Sequence, residues 1–523
     1  MKKIIDKFNI HNKITFNHKR SDNNKKIFLI EFNGWAVIHI IFSYLINYFK
    51  KVEKCRIVAY EAYDILNRLD PPKYNRYLWR LGIFLNLKTF KIFKILGTDD
   101  FIKPIFSKNL INKSKKFFNY FFNKKPSLKK LENLKVNNIW IGDLIYDSYL
   151  KKYSHTTINL NSKQFEDFFI KSLLLFFFWE DYFKKNFVAG ICVCHAVYLT
   201  GIPLRIAHKK KIRCFSASNM NLYNLTASID YKKKINGSDS QFLYYKKLAE
   251  KLPEKFKKKI KIQGKKILKN IIIGKSKYFY MPQKTYSNIK VKKESNVSNK
   301  VNLVIFIHNF VDSPHIYGNH FFTDFKEWLN YLGKIINKTD YNWFIKDHPT
   351  SNDITKKEID IFIKNNPKVT YLDKNFKNNR LVSLGIDYIL TVYGSIASEV
   401  PIYGIKAINA SRNNPHFNFK FSINPKNIND YKKILLNLRK KKHKISHNDL
   451  YLFHYIKDYL FKNSLFFENP EKYFIFHENK PLQYTSKMYE LWLNDFDINK
   501  HKDIVKNLNT FIKSGEYIYL KND

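Results

Sequence analysis

Two short stretches, 46 positions apart when counted from His348 to Gly394, carry the residue types that phosphate chemistry needs. The first is Lys346-Asp347-His348-Pro349, directly after the apolar run Trp343-Phe344-Ile345. A histidine at the carboxyl end of a strand, its backbone fixed by the following proline, can present an imidazole to a phosphate. Protonated, it would stabilise charge building on a leaving phosphate. The alternative is a loop histidine without a partner. The second stretch is Thr391-Val392-Tyr393-Gly394-Ser395-Ile396-Ala397-Ser398-Glu399. Here the pattern predicts a strand ending at Gly394 and a helix beginning with Ser395 as N-cap. The free N–H groups of such a start attract an anion, and glycine lets a phosphate approach. Ser395 and Ser398 add hydroxyls, and Glu399, one turn along, could accept from ribose hydroxyls. An ordinary capped helix would show the same residues.

A third cluster, His308-Asn309-Phe310-Val311-Asp312-Ser313-Pro314-His315, follows the apolar run Val301–Ile307. Two histidines and an aspartate invite a metal, but no third ligand is evident at this spacing. Contacts to a ligand through His308, Asp312 and Ser313, or positioning of a second substrate, fit the cluster better, and no metal site is expected. In the first half, three strand ends carry polar groups: Glu31 before Asn33-Gly34, Asp143 and Asp147 after Trp140, and His195 with Arg205 after Val193.

These residues need elements to position them. Lys26 to Glu31 and Arg56 to Tyr60 read as strands, with helical spacing from Trp35 to Phe49 between them. Asn138 to Asp143, Val188 to His195 and Arg213 to Ser216 read as further strands, and Ser162 to Lys185 as a long helix. The strand–helix–strand order marks a parallel α/β sheet. At Val301 the pattern restarts: strands at 301–308, 342–346, 368–372, 387–392 and 406–410, helices at 321–336 and 395–403. The expected fold class is therefore α/β, two Rossmann-like domains facing a cleft, with a helical C-terminal segment. The expected boundaries are a basic tail over 1–25, a first α/β domain over 26–230, and a Lys-rich helical segment and linker over 231–300. A second α/β domain over 301–426 and a helical segment over 427–523, packing back on the first half, complete them. Ser238-Asp239-Ser240-Gln241 has capping-box spacing and would open a helix. In such sheets ligands bind beyond the carboxyl ends of the strands, where all three clusters fall.

The chain has 523 residues, 93 Lys+Arg against 44 Asp+Glu, and a formal charge of +49. Only 10 of the basic residues are arginine, the residue for bidentate phosphate and base-edge contacts, so a dedicated nucleic-acid reader is disfavoured. The four cysteines form no Cys-x-x-Cys pair and read as buried thiols of a reduced compartment. No signal peptide is evident, and no apolar stretch nears the roughly 18 residues that span a bilayer. A cytoplasmic protein follows, with attachment to the inner face of a membrane left open.

The order Lys-x-His-Pro, Tyr-Gly-Ser-x-x-x-Glu, Tyr-Gly-Ile-Lys-Ala over residues 301 to 410 resembles the donor domain of GT-B glycosyltransferases that use CMP-sugars. It is most similar to the capsule polysaccharide biosynthesis proteins that transfer Kdo. Bacterial GT-B sialyltransferases and CDP-glycerol glycerophosphotransferases share comparable His-Pro and Ser elements. The resemblance implies a CMP-sugar donor, with Lys346, Pro349, Gly394, Ser395, Ser398, Glu399, His308, Asp312 and Ser313 on the donor side and His348 at its phosphate. It implies inverting transfer to a surface polysaccharide or lipid-linked acceptor, with no obligatory cofactor. An inverting enzyme needs a general base from the opposite domain. Asp143 is the expected base and Asp147 its support or substitute, although Asp143 would serve equally as an N-cap. Glu31, His195 and Arg205 are expected to hold the acceptor. A glycerophosphotransferase, or a non-catalytic basic protein coating nucleic acid or membrane, are the competing readings; the last predicts basic residues on one face and no ordered nucleotide cleft. Lys209–Lys211, Lys232–Lys234 and Lys257–Lys259 are the runs expected to meet an anionic membrane surface.

Overall fold

The computed structural model describes residues 2–16, 25–62, 76–218, 220–226, 245–275, 285–287, 299–440, 442–478 and 480–521. Eight strands come from the first half: β1 (Lys26–Phe32), β2 (Arg56–Glu61), β3 (Asp100–Ile102), β4 (Lys135–Val136), β5 (Ile139–Trp140), β6 (Phe187–Val193), β7 (Arg213–Ser218) and β8 (Asn221–Asn224). Six of them form one sheet in the order β3-β2-β1-β6-β7-β8, parallel except for the β7–β8 hairpin. The second half supplies β9 (Asn302–Phe306), β10 (Asn342–Lys346), β11 (Val369–Leu372), β12 (Tyr388–Thr391), β13 (Lys406–Asn409) and β14 (Ser422–Ile423). These run parallel in the order β11-β10-β9-β12-β13-β14. Both sheets carry the doubly wound order of two Rossmann-like domains, with the direction of winding reversing between β1 and β6 and between β9 and β12. Every residue of β9 and β12 is buried, as expected of parallel strands covered on both faces.

The carboxyl ends of the two sheets face each other. Tyr198, just beyond β6, donates its hydroxyl to Asp312 Oδ1, just beyond β9, at 3.0 Å. Around this contact, Tyr146 donates to Asp324 at 2.5 Å and Thr156 to Glu358 at 2.7 Å, tying the domains together. Residues of the C-terminal segment return to the first domain. The helix His447–Lys462 packs on the helix Ile260–Ile272 so closely that a Cβ on Gly264 would lie 2.2 Å from Tyr451 O. Ile518 pairs with Tyr223 of β8, and the helices Lys487–Asn494 and Ile498–Ser514 cover the helix Ala36–Lys51.

Several local expectations change. Residues 2–16 are not a tail but a helix, with Phe8 and Phe16 fully buried and Phe8 stacked on Tyr489 at 4.2 Å. The stretch from Asn138 to Asp143 is no strand of the main sheet. Only Ile139–Trp140 is extended, paired antiparallel with Lys135–Val136, and the helix Gly142–Tyr153 starts at once. A Cβ on Gly142 would sit 2.0 Å from Leu131 O, so only glycine lets that helix start there. Ser395 to Tyr403 is not an α-helix but two 3₁₀ turns, Ser395–Ser398 and Val400–Tyr403, because Pro401 removes a donor and Gly404, at φ +81°, reverses the chain. The strands β3, β8 and β14 are additional to those expected. Ser238 to Gln241 and Lys232 to Lys234 lie outside the described residues, as does most of the expected linker.

Candidate functional site

A cavity of about 300 Å³ opens at the reversal point between β9 and β12. Strand β10 delivers Lys346, Asp347, His348 and Pro349 to it, β9 delivers Phe306, Ile307 and His308, and β12 delivers Thr391, Gly394, Ser395 and Glu399. Tyr286 and the end of the helix Ile260–Ile272 close the opposite wall.

Lys346 is buried to 1% exposure and makes no ion pair among the described residues. Its ammonium reaches only the Asp347 carbonyl, at 3.5 Å, and lies 5.9 Å from the Phe306 ring centre. Burial pushes its pKa down to about 8, with Asp347 and Asp373 pulling the other way. A buried cation without a carboxylate at contact distance is costly, and an anion in the cavity would relieve that cost.

His348 is oriented by its own loop. The Thr350 N–H donates to His348 Nδ1 at 3.2 Å, so the ring proton sits on Nε2. Its backbone N–H in turn donates to Asp347 Oδ1 at 2.7 Å. Burial holds its pKa below the usual histidine range, with Asp312 and Asp347 acting against that. The neutral imidazole therefore offers an Nε2–H donor, rather than the full charge expected from its sequence position.

The turn after β12 is built differently from a helix start. Thr391 Oγ1 accepts from the Gly394 N–H at 3.0 Å, and a Cβ on Gly394 would meet that same oxygen at 2.7 Å. Glycine here makes room for Thr391. Gly394, not Ser395, precedes the first 3₁₀ turn, and Ser395 is exposed inside it. A four-residue turn has little dipole to offer, so the expected helix-end anion site reduces to local N–H groups and the Ser395 hydroxyl. Ser398 turns inward, donating to Ser395 O at 2.8 Å, and its own carbonyl contacts His454 Nε2 at 2.7 Å. Glu399 lines the cavity but accepts from Tyr286 at 2.6 Å.

His308 also lines the cavity, yet its Nε2 lies 3.0 Å from Thr391 Oγ1 and accepts from the Val392 N–H at 3.3 Å. Burial, together with the neighbouring His348, pushes its pKa to about 3. It is a neutral brace for the β12 turn. Asp312 and Ser313 stand at the seam between domains. Asp312 bonds Tyr198 and Lys151, and Ser313 O accepts from Tyr393 at 3.1 Å. No group of three or more His, Cys, Asp or Glu among the described residues is arranged to hold a metal ion.

The first-domain residues do not join the cavity. Asp143 is 1% exposed and is held by Arg205 through two bonds of 2.6 Å. Arg205 also donates to Trp140 O and stacks 4.6 Å from the Trp140 ring. Neither reaches solvent, so the expected general base and the expected acceptor contact form one buried ion pair. Asp147 is equally occupied, accepting from His315 at 2.5 Å. Glu31 accepts from the Cys194 N–H at 2.8 Å and fastens β1 to β6. His195, stacked on Tyr198, has its pKa pushed down to about 4 by burial against the pull of Asp312. Sequence reasoning missed Tyr286 and Thr391. Tyr286 sits in a polar stretch without periodicity; Thr391 was legible only as the residue before a turn.

The strand order and the cavity define a two-domain Rossmann-like protein with a pocket, lined by a buried lysine and a histidine, at the reversal point of its second sheet. No family model matches the chain, and no curated protein matches it. Among solved structures it is similar to UDP-GlcNAc 2-epimerase from Neisseria meningitidis bound to UDP-GlcNAc, at 11% identity over 90% of this chain and 100% of that one, TM-score 0.23. It is also similar to Acinetobacter baumannii MurG, at 8% identity over 90% and 99%, TM-score 0.22. A Siraitia grosvenorii UGT transferase in complex with UDP matches at 9% identity over 90% and 99%, TM-score 0.22. No described helix is long and apolar enough to cross a membrane.

Proposed function

We propose that this protein is a GT-B-type glycosyltransferase that moves a sugar from a CMP-activated donor to a growing surface polysaccharide. The observation that carries the reading is Lys346, a buried cation without an ion pair, beside the Nε2–H of His348 in a cavity at the β9/β12 reversal. In this reading the acceptor hydroxyl attacks the anomeric carbon and gives its proton to the neutral imidazole of His195, the bond from that carbon to the phosphate oxygen breaks, and CMP leaves with its electron pair. Lys346, His348 and Ser395 receive the phosphate, and Glu399, with Tyr286, faces the nucleoside. Because the leaving group is a nucleoside monophosphate, the reading calls for no metal or cofactor. Asp143 and Asp147 are tied up in ion pairs, which leaves His195, neutral and at the carboxyl end of β6, as the acceptor-side group. A lipid-linked acceptor would bring the enzyme to a membrane face.

A thermal-shift panel of CMP, CDP, UDP and GDP tests the reading. A ligand at 100 times its Kd adds about 2.7 kcal/mol of stability. CMP should give the largest shift. A larger shift with CDP would favour a glycerophosphotransferase, and a larger one with UDP would remove the cytidine assignment.

A further inference from the structure

The helix Ile260–Ile272, whose end closes one wall of the cavity, has one buried side and one charged side. Gly264, Leu268, Ile271 and Ile272 are buried, with Tyr451 of the helix His447–Lys462 against Gly264. Ile262, Lys265, Lys266 and Lys269 are exposed, and their spacing puts them on one face of this single helix. From 255 to 275 the sequence has nine lysines and no Asp, Glu or Arg, more than twice the density of basic residues in the whole chain. Lys257 is paired with Glu254 at 2.9 Å, but none of the other eight makes an ion pair among the described residues. The aspartates of the helix packed alongside are already taken, Asp449 by Lys246 at 3.7 Å and Asp458 by Lys462 at 2.8 Å.

This charge is strung along a line that ends at the site. Ile271 and Gly274 line the cavity, and exposed Lys275 follows them. At 1.5 Å of rise per residue, Lys261 stands about 15 Å along the helix from Ile271. Unpaired cations in such a row fit an extended anion. A bilayer fits less well, because the apolar side of the helix is used up against Tyr451 and its neighbours. Ile262, at 74% exposure, is the one apolar residue left on the outer face to insert. Nucleic acid fits less well too, since the stretch has no arginine for bidentate contacts to phosphates or bases. Lysines are point charges, suited to single carboxylates or phosphates spaced along a flexible polymer.

We propose that Lys265, Lys266 and Lys269 hold an acidic polysaccharide chain, with a carboxylate or phosphate on each repeat, along the outer face of this helix beside the cavity. The inference rests on the transferase reading and names the class of its acceptor: the growing polymer is itself anionic.

Fluorescence anisotropy of labelled polygalacturonate with the full chain tests it, with neutral dextran as the control polymer. Polygalacturonate should bind and dextran should not, and the binding should weaken as added salt screens the charges. Lys265→Glu with Lys269→Glu should weaken binding at least about tenfold, because two attractions become repulsions. Lys265→Gln with Lys269→Gln should give a smaller loss in the same direction. Lys115→Glu with Lys116→Glu makes the same change of charge on exposed residues of the helix Lys108–Phe122, and should bind like the unmodified chain. Circular dichroism and the CMP-induced thermal shift should stay unchanged in all three variants. Polymer binding by a chain that shows no CMP shift would keep this face and remove the cytidine donor, so the two readings fail separately. Equal weakening in both glutamate pairs, undiminished binding by the Lys265 and Lys269 variants, or no binding of polygalacturonate overturns the proposal. So does tighter binding of a duplex DNA oligonucleotide or of phosphatidylglycerol vesicles to the same face.

Discussion

His315 of the second domain and Asp147 of the first form a two-point contact across the domain seam. The imidazole Nδ1 lies 2.5 Å from Asp147 Oδ1, and the His315 backbone N–H donates to Oδ2 at 3.0 Å. Glu132 stands 3.6 Å from the other ring nitrogen. Burial alone would push His315 down, but the two carboxylates overcome it and hold its pKa up at about 10. This pair, not a substrate, occupies Asp147.

The seam should therefore weaken in alkali. The folded pKa of His315 lies above its unfolded value of about 6.5, so its stabilisation is whole below that pH and is lost as pH rises toward about 10. Thermal unfolding at intervals from neutrality to pH 10 should give a falling midpoint, and His315→Gln should flatten that fall. An equal slope in the variant would take His315 out of the balance.

Lys346 should behave as a site that sacrifices stability for binding. Its folded pKa is depressed, so the folded state carries a penalty below about pH 8 that fades as pH rises toward the ordinary lysine value. Lys346→Met is expected to raise the melting temperature of the nucleotide-free protein at pH 7 while abolishing the CMP-induced shift. A variant that melts lower yet still responds to CMP would contradict both halves.

His348→Ala should abolish transfer and leave the fold intact, because among the described residues its ring is hydrogen-bonded by Thr350 alone. Removing one preorganised donor typically costs about 2.7–4 kcal/mol in the transition state, or roughly 10²–10³ in kcat. Turnover of labelled donor measures it, and unchanged turnover would remove His348 from the mechanism.

Asp143→Ala should injure the fold, not the chemistry. It leaves the Arg205 guanidinium buried without its partner, a loss of about 3–5 kcal/mol for a broken buried pair. Denaturant unfolding reads this directly. Wild-type stability with lost turnover would return Asp143 to the role of base.

The two sheets and their reversal points were legible because parallel strands buried on both faces read as short apolar runs, as in Leu303-Val304-Ile305. The cavity wall from β10 and β12 was legible for the same reason: it lies within a few residues of those runs. What stayed hidden was pairing across long separations. Nothing near Asp143 announces Arg205, and nothing near Asp147 announces His315. Carboxylates look catalytic in a sequence until their partners are found. Other misses carried a local signal. Pro401 already argued against a helix through Tyr403, and Phe8 and Phe16, eight apart, mark one face of a helix within a Lys-rich stretch.

The pairing of Tyr223 with Ile518, and of Asn224 N–H with Tyr517 O at 2.9 Å, bears on synthesis. Domains usually fold as units while later sequence is still on the ribosome. Here the edge of the first sheet, and the cover over its helix Ala36–Lys51, wait for residues that are translated after the whole second domain. The early half must persist with apolar surface open until Ile518 emerges. Order of translation and order of completion are thus reversed, and newly made chains should depend on chaperones for as long as the second domain takes to appear.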